Sequence, residues 1–248
     1  MKLDKIKPKF VNKGNPRIGL ITLGSDFRIE KDFNNVIYGK DIDLFVNRIR
    51  CYNPLTNETL AKMAEDITDV TKEILPGEKL DCVAYGCTSG TVAAGYDTIK
   101  EKVNFAKPEA KVTTPITSTI KALNKLNIKK ISVFTPYTQS INETVVDYFK
   151  QCGIVVKGLH YFDIKSDIDI GKVDSDYLLD VLSNLNLDDS EALFISCTAL
   201  PVLDLIEKLE KRLNKLVLSS NQTLIWEALN IVGNKKVVKG YGKIFDTN

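Results

Sequence analysis

The runs Tyr85-Gly86-Cys87-Thr88 and Ile195-Ser196-Cys197-Thr198 read alike. Each follows an apolar, strand-like run, Leu80 to Tyr85 in one case and Ala192 to Ile195 in the other, and each leads into a helix-like segment. A thiol at such a junction stands where a strand ends and a helix N-terminus begins. The positive end of a helix favours the thiolate, and thiols so placed reach pKa values of roughly 3.5–7.5 instead of about 8.5. Two such thiols in one chain suggest a cysteine pair that moves protons or attacks carbon.

The likeness extends beyond the cysteines. Arg17-Ile18-Gly19-Leu20-Ile21-Thr22 opens one half as an apolar strand, and Lys130-Ile131-Ser132-Val133-Phe134-Thr135 opens the other. The offset is 113 positions from Ile18 to Ile131 and 110 from Cys87 to Cys197. A shared offset of this size means two copies of one supersecondary plan. Val112 to Ser118 precedes a helix over Thr119 to Leu126; Leu216 to Asn221 precedes a helix over Gln222 to Ile231.

Between these landmarks strands alternate with helices. The first half reads as a strand over 17–23, a helix or loop from Lys31 to Gly39, and a strand from Leu44 to Cys51. A long helix follows from Asn57 to Leu75 with Asn57 as N-cap, ended by Pro76-Gly77; then come the Cys87 strand, a helix to about Lys102, and a strand from Val112 to Pro115. The second half reads as strands over Ile131 to Thr135, Ile154 to Phe162, Ala192 to Ser196 and Leu216 to Ser219. Its helices run over Thr138 to Gln151, Ser175 to Leu185 and Leu203 to Leu213. Such alternation implies right-handed βαβ units, so the expected class is α/β, with a roughly four-stranded parallel sheet flanked by helices in each half. The expected division is a leader over 1–16, a first subdomain over 17–128 and a second over 129–248. Ligands of parallel sheets bind beyond the carboxyl ends of the strands. Both cysteines sit there, as do Ser25-Asp26, Thr117-Ser118, Tyr137-Thr138 and Ser220-Asn221. Two copies facing each other about a pseudo-twofold axis would bring all of these to one cleft.

Composition narrows the chemistry. The chain has 248 residues with 34 basic and 32 acidic side chains, a net charge of +2 that argues for neither nucleic acid nor an anionic membrane as partner. Lysines 2, 5, 7, 9 and 13 read as a solvated basic leader. No apolar run approaches the ~20 residues of a membrane span, and no signal-peptide core follows Met1, so the cytoplasm is the expected compartment. Five cysteines then read as thiols, not as a disulfide framework. The single histidine, His160, lies in a strand-like run and excludes chemistry that needs two. There is no CxxC, GxGxxG or Walker loop, and Ala93 and Leu203 stand where a cysteine-phosphatase loop would carry its arginine. Cys51, Cys82 and Cys152 read as inert packed thiols.

The paired Cys-Thr runs, the twofold repeat and Ile195-Ser196-Cys197-Thr198-Ala199-Leu200 resemble the Asp/Glu racemase superfamily. Phe134-Thr135-Pro136-Tyr137 and Thr144-Val145-Val146-Asp147-Tyr148 resemble its maleate cis-trans isomerase branch, beside arylmalonate decarboxylase. Val217 to Gln222 and the helix through Trp226 resemble the ectoine-utilisation protein A group. The resemblance implies two facing cysteines, Cys87 and Cys197, that exchange a proton at a carboxylate-bearing carbon or attack it covalently, with no metal or cofactor. It implies a small carboxylate as the partner and allows a homo-oligomer. Thr88, Ser89 and Tyr137 match carboxylate-holding positions, and Thr198 is the Thr88 counterpart. Two positions depart: Asp26 and Asp167 stand where maleate isomerases carry substrate-binding asparagines. Ionised aspartate cannot donate to a substrate carboxylate, so Asp26 disfavours maleate and suits an ammonium or amide, or else orients Cys87. The expected activity is a cofactor-independent racemase or isomerase. A cysteine-dependent decarboxylase of a malonate-type acid and a non-catalytic small-acid binding protein are the alternatives. The presence of both cysteines favours the enzyme, because binding alone needs no thiol.

Overall fold

Among the described residues eight strands form two parallel sheets with the same order. β1 (Arg17–Leu23), β2 (Asp43–Ile49), β3 (Cys82–Gly86) and β4 (Lys111–Thr113) make the first, in the order β2-β1-β3-β4. β5 (Lys130–Thr135), β6 (Val155–Tyr161), β7 (Ala192–Ile195) and β8 (Leu216–Ser219) make the second, in the order β6-β5-β7-β8. These observations come from a computed structural model that describes residues 3–10, 14–187 and 189–247. The central strands are buried along their length, as near-continuous Val/Ile/Leu runs require when helices cover both faces.

In each sheet the chain reverses its winding direction between the first and third strands, which is where a crevice opens at the carboxyl ends. β1 pairs with β3 from Ile18↔Cys82 to Thr22↔Gly86, and β5 pairs with β7 from Ile131↔Ala192 to Phe134↔Ile195. Cys87 follows the first crevice and Cys197 the second. The halves join through helices Pro115–Lys125 and Ser220–Ile231, each opened by a capping box, Thr114 with Thr117 and Ser219 with Gln222. The Thr119 and Thr223 hydroxyls meet between them at 2.9 Å, both buried.

Several elements differ from the sequence reading. The expected long helix from Asn57 to Leu75 is three pieces, Asn57–Lys62, a 3₁₀ turn Met63–Asp66, and Ile67–Lys72. Its N-cap is Thr56, whose hydroxyl accepts the Thr59 N–H in a second Thr-x-x-Thr capping box. The helix after Cys87 is likewise two, Thr88–Ala94 and Tyr96–Ala106, because Gly95 at φ 84° lies outside helical space. The uncertain segment Lys31 to Gly39 is a helix, Ile29–Ile37. Of the basic leader, Lys2 and Lys13 lie outside the described residues; residues 3–10 are exposed without regular structure. Among the described residues no helix is long and apolar enough to cross a membrane.

Candidate functional site

Cys87 is the N-cap of helix Thr88–Ala94. Its Sγ accepts the Gly90 N–H at 3.2 Å, and its carbonyl accepts the Thr91 N–H at 3.1 Å, the first bond of the helix. Residue 201 occupies the position equivalent to Thr91 in the second half, and it is Pro201. Proline has no N–H to give the Cys197 carbonyl, so no helix starts at Cys197. The expectation of a helix N-terminus there is corrected. The next helical turn is Leu203–Leu205, and Cys197 sits instead at φ 93° in an irregular turn. A non-glycine residue in that region is strained by about 1–3 kcal/mol and persists only where its surroundings hold it. The Cys197 N–H donates to Ser220 Oγ at 3.0 Å, the Thr198 hydroxyl to the Gly86 carbonyl at 3.2 Å, and Asn221 Nδ2 to the Thr198 carbonyl at 2.8 Å.

The two thiols line one enclosed cavity with Thr88, Ser89, Tyr137, Asp167, Thr198 and the apolar Leu23, Leu55 and Leu60. Its volume is about 10 Å³, enough for a single water. Wider clefts lie elsewhere. One of about 300 Å³ runs along Gly77–Leu80 and Ala106–Ala110 at the amino ends of β3 and β4. It holds no cysteine, and the Lys107 ammonium inside it donates to the carbonyls of Leu75 and Glu78. Of these openings, the one lined by the thiols is the small cavity. Its walls are strapped together across the halves: Leu55 N–H to the Lys165 carbonyl at 2.9 Å, Ser25 Oγ to Asp167 Oδ2 at 2.5 Å, and Arg28 to the Gly171 carbonyl at 2.8 Å.

Burial dominates the electrostatics. Cys87 and Cys197 are both pushed up from the ordinary thiol range by desolvation, against the N–H of Gly90 in one case and of Ala199 and the Tyr137 hydroxyl in the other. The low thiol pKa expected from helix ends is thus not what this closed site holds; removing a thiolate from water outweighs one or two N–H dipoles. Burial also raises Asp167 to about 6 and Asp32 to about 7. Tyr137 is buried and pushed up by desolvation; its hydroxyl accepts from Ser196 Oγ at 3.3 Å and stands beside the Cys197 thiol.

The cavity gathers Cys87, Cys197, Thr88, Ser89, Tyr137, Thr198 and Asp167. It does not gather Asp26. That side chain was expected at the substrate; instead its Oδ1 accepts the N–H groups of Arg28 (2.8 Å) and Ile29 (3.1 Å) where the next helix begins, and its carboxyl stands behind the wall beside Thr198. Cys82 is packed as expected, but Cys51 and Cys152 are only half-buried, and Cys51 adjoins Ser25 and Asp167. His160 does not line the cavity. Residues not singled out from sequence are Gly90, pressed against the Cys87 thiol, and Asp32, whose Oδ2 accepts Asn221 Nδ2 at 2.7 Å. A lone acid in an amphipathic helix gives no sequence signal for such a partner. No metal-binding group of side chains occurs among the described residues.

A family model described as arylmalonate decarboxylase matches residues 53–245. The maleate isomerase of Geobacillus stearothermophilus is 24% identical over 243 residues, 92% of this chain and 96% of that protein. The arylmalonate decarboxylase of Bordetella bronchiseptica is 28% identical over 137 residues, 54% of this chain and 57% of that one. Among solved structures, a Cys-to-Ser mutant of Nocardia farcinica maleate cis-trans isomerase, with a covalently bound succinylcysteine intermediate, matches with a TM-score of 0.86 at 20% identity. That match covers 95% of this chain and 100% of the other.

Proposed function

The chain belongs to the arylmalonate decarboxylase family, in the Asp/Glu racemase superfamily, and from that membership we propose that it is a cofactor-independent racemase or isomerase of a small carboxylate. Its similarity to maleate isomerases and arylmalonate decarboxylases supports a cysteine-dependent isomerase or decarboxylase of small acids. The observation that carries the racemase or isomerase reading is that two thiols, one from each half, line the same enclosed cavity. We read 17–128 and 129–248 as the subdomains that each supply one.

In this reading Cys87 and Cys197 are the catalytic pair. One takes a proton from, or adds to, the carbon beside the substrate carboxylate, and the other serves the opposite face. Thr88 and Ser89 open a helix, and a helix N-terminus with its hydroxyls suits a carboxylate and the enediolate that develops from it. Tyr137 and Thr198 complete the polar wall. A cavity for one water excludes a four-carbon acid, so substrate entry requires the straps at Leu55 and Arg28 to release. Once closed, the dry site strengthens each polar contact.

The test is deuterium incorporation from solvent into a panel of amino acids and small diacids, with Cys87→Ser and Cys197→Ser beside the parent. Loss of turnover by several orders of magnitude in either variant is expected. The second reading, decarboxylation of a malonate-type acid, is favoured by the matching family model. Carbon dioxide release from phenylmalonate that survives Cys87→Ser and is lost in Cys197→Ser would establish it in place of the two-thiol reaction.

A further inference from the structure

Among the described residues Asp167 is the single charged side chain on the cavity wall, and no Lys, Arg or His lines it. It comes from the second half, at the start of the short helix Asp167–Ile170, and shares the wall with both thiols. It is held rigidly: Ser25 Oγ donates to Oδ2 at 2.5 Å, and its own N–H donates to Asn53 Oδ1 at 3.3 Å. Among the described residues Oδ1 has no hydrogen-bond partner.

We propose that Asp167 makes this site select a small monocarboxylate carrying an N–H donor, an ammonium or a carboxamide, over a symmetric dicarboxylate. The inference rests on the reading that substrate reacts between the two thiols. In that reading the substrate carboxylate sits at Thr88 and Ser89, which share the cavity wall with Asp167. A second carboxylate would then meet Asp167 with no cation to offset it. The nearby guanidiniums are engaged outward, Arg28 with the Gly171 carbonyl and Arg48 with the carbonyls of Leu23 and Asp26 and with Glu30. An ammonium or amide N–H instead satisfies the free oxygen. With burial raising its pKa only to about 6, Asp167 is ionised at pH 8. Sites built around a buried polar partner discriminate strongly against ligands that leave it unpaired.

The wild-type protein is incubated at pH 8 in D₂O with maleate, maleamate or L-alanine, one at a time, and isomerisation and carbon deuteration are followed by NMR. Calorimetry reads binding of the same three compounds. Maleamate or alanine is expected to exceed maleate by roughly 100-fold or more in kcat/KM, and Asp167→Asn is expected to shift preference toward maleate. Preference for maleamate points to an amide substrate, and preference for alanine to an ammonium one. Should Asp167→Asn fail to fold, the wild-type comparison decides alone. Selective binding of a donor-bearing acid without turnover would keep this inference and remove the reaction proposed above. Wild-type turnover or binding of maleate equal to or better than both donor-bearing acids, or no preference in either readout, overturns it.

Discussion

The hydroxyls of Thr88 and Ser220 lie 2.8 Å apart although 132 positions separate the residues in the chain. Ser220 Oγ also accepts the Cys197 N–H at 3.0 Å, so one buried hydroxyl ties the turn that follows Cys87 to the strained turn that carries Cys197. The two thiols are therefore held in register by a hydrogen-bonded link across the halves, made through the backbone and a neighbour of each.

Ser220→Ala removes that link. It leaves the buried Cys197 N–H without its partner, which costs about 1–3 kcal/mol. Urea denaturation should show that loss of stability, and turnover should fall because the Cys197 turn relaxes from φ 93°. A variant with wild-type stability and rate would mean that packing alone holds the turn.

Gly90→Ala acts on the other thiol. A Cβ at position 90 would lie 2.8 Å from Cys87 Sγ, 3.0 Å from Met63 Cε and 3.1 Å from the Tyr85 hydroxyl. Crowding of this kind typically costs about 1–3 kcal/mol, partly offset here by the higher helix propensity of alanine. The fold should survive while activity drops by roughly tenfold or more for a displacement of that size. Thermal melting and steady-state kinetics measured together check this; unchanged kinetics would show that Cys87 does not need its present position.

Asp32 sets a pH dependence of stability. Burial raises its pKa from 3.8 to about 7, so the folded state holds the proton more tightly than the unfolded chain. Its contribution is most favourable below pH 4 and is lost as pH rises to about 7, where it levels off. Asp32→Asn retains an acceptor for Asn221 and lacks this slope. It should gain up to ~4 kcal/mol over wild type between acid and neutral pH, read from denaturation at pH 4 and pH 8. Parallel pH profiles for the two proteins would rule the assignment out.

Thiol accessibility gives a fourth outcome. Cys51 and Cys152 are half-buried, whereas Cys82, Cys87 and Cys197 are buried; desolvation raises all five thiols, Cys51 to about 11. Brief alkylation of the ligand-free protein near pH 8, followed by peptide mass spectrometry, should label Cys51 and Cys152 first. Labelling of Cys87 or Cys197 ahead of them would show that the closed cavity is a minor state in solution.

The duplicated strand–cysteine runs and the alternation of strands with helices were legible because they depend on local periodicity, burial pattern and turn chemistry. One local clue also stood in the chain: Pro201 at the position of Thr91 forbids the helix that the Cys197 run otherwise suggests. The breaks at Met63 and Gly95 and the capping role of Thr56 follow similarly local rules that compete closely, and they shift boundaries without moving the site. Tertiary structure alone decided the rest. The sheet order puts both winding reversals beside the cysteines, and the packing of Pro115–Lys125 on Ser220–Ile231 turns the halves toward each other. It also reverses the expected thiol acidity, because desolvation depends on how much of the whole molecule closes over a group and not on the residues beside it. For the same reason Asp26 and Asp167, alike as aspartates in sequence, end differently: one accepts backbone N–H groups behind the wall and the other faces the cavity.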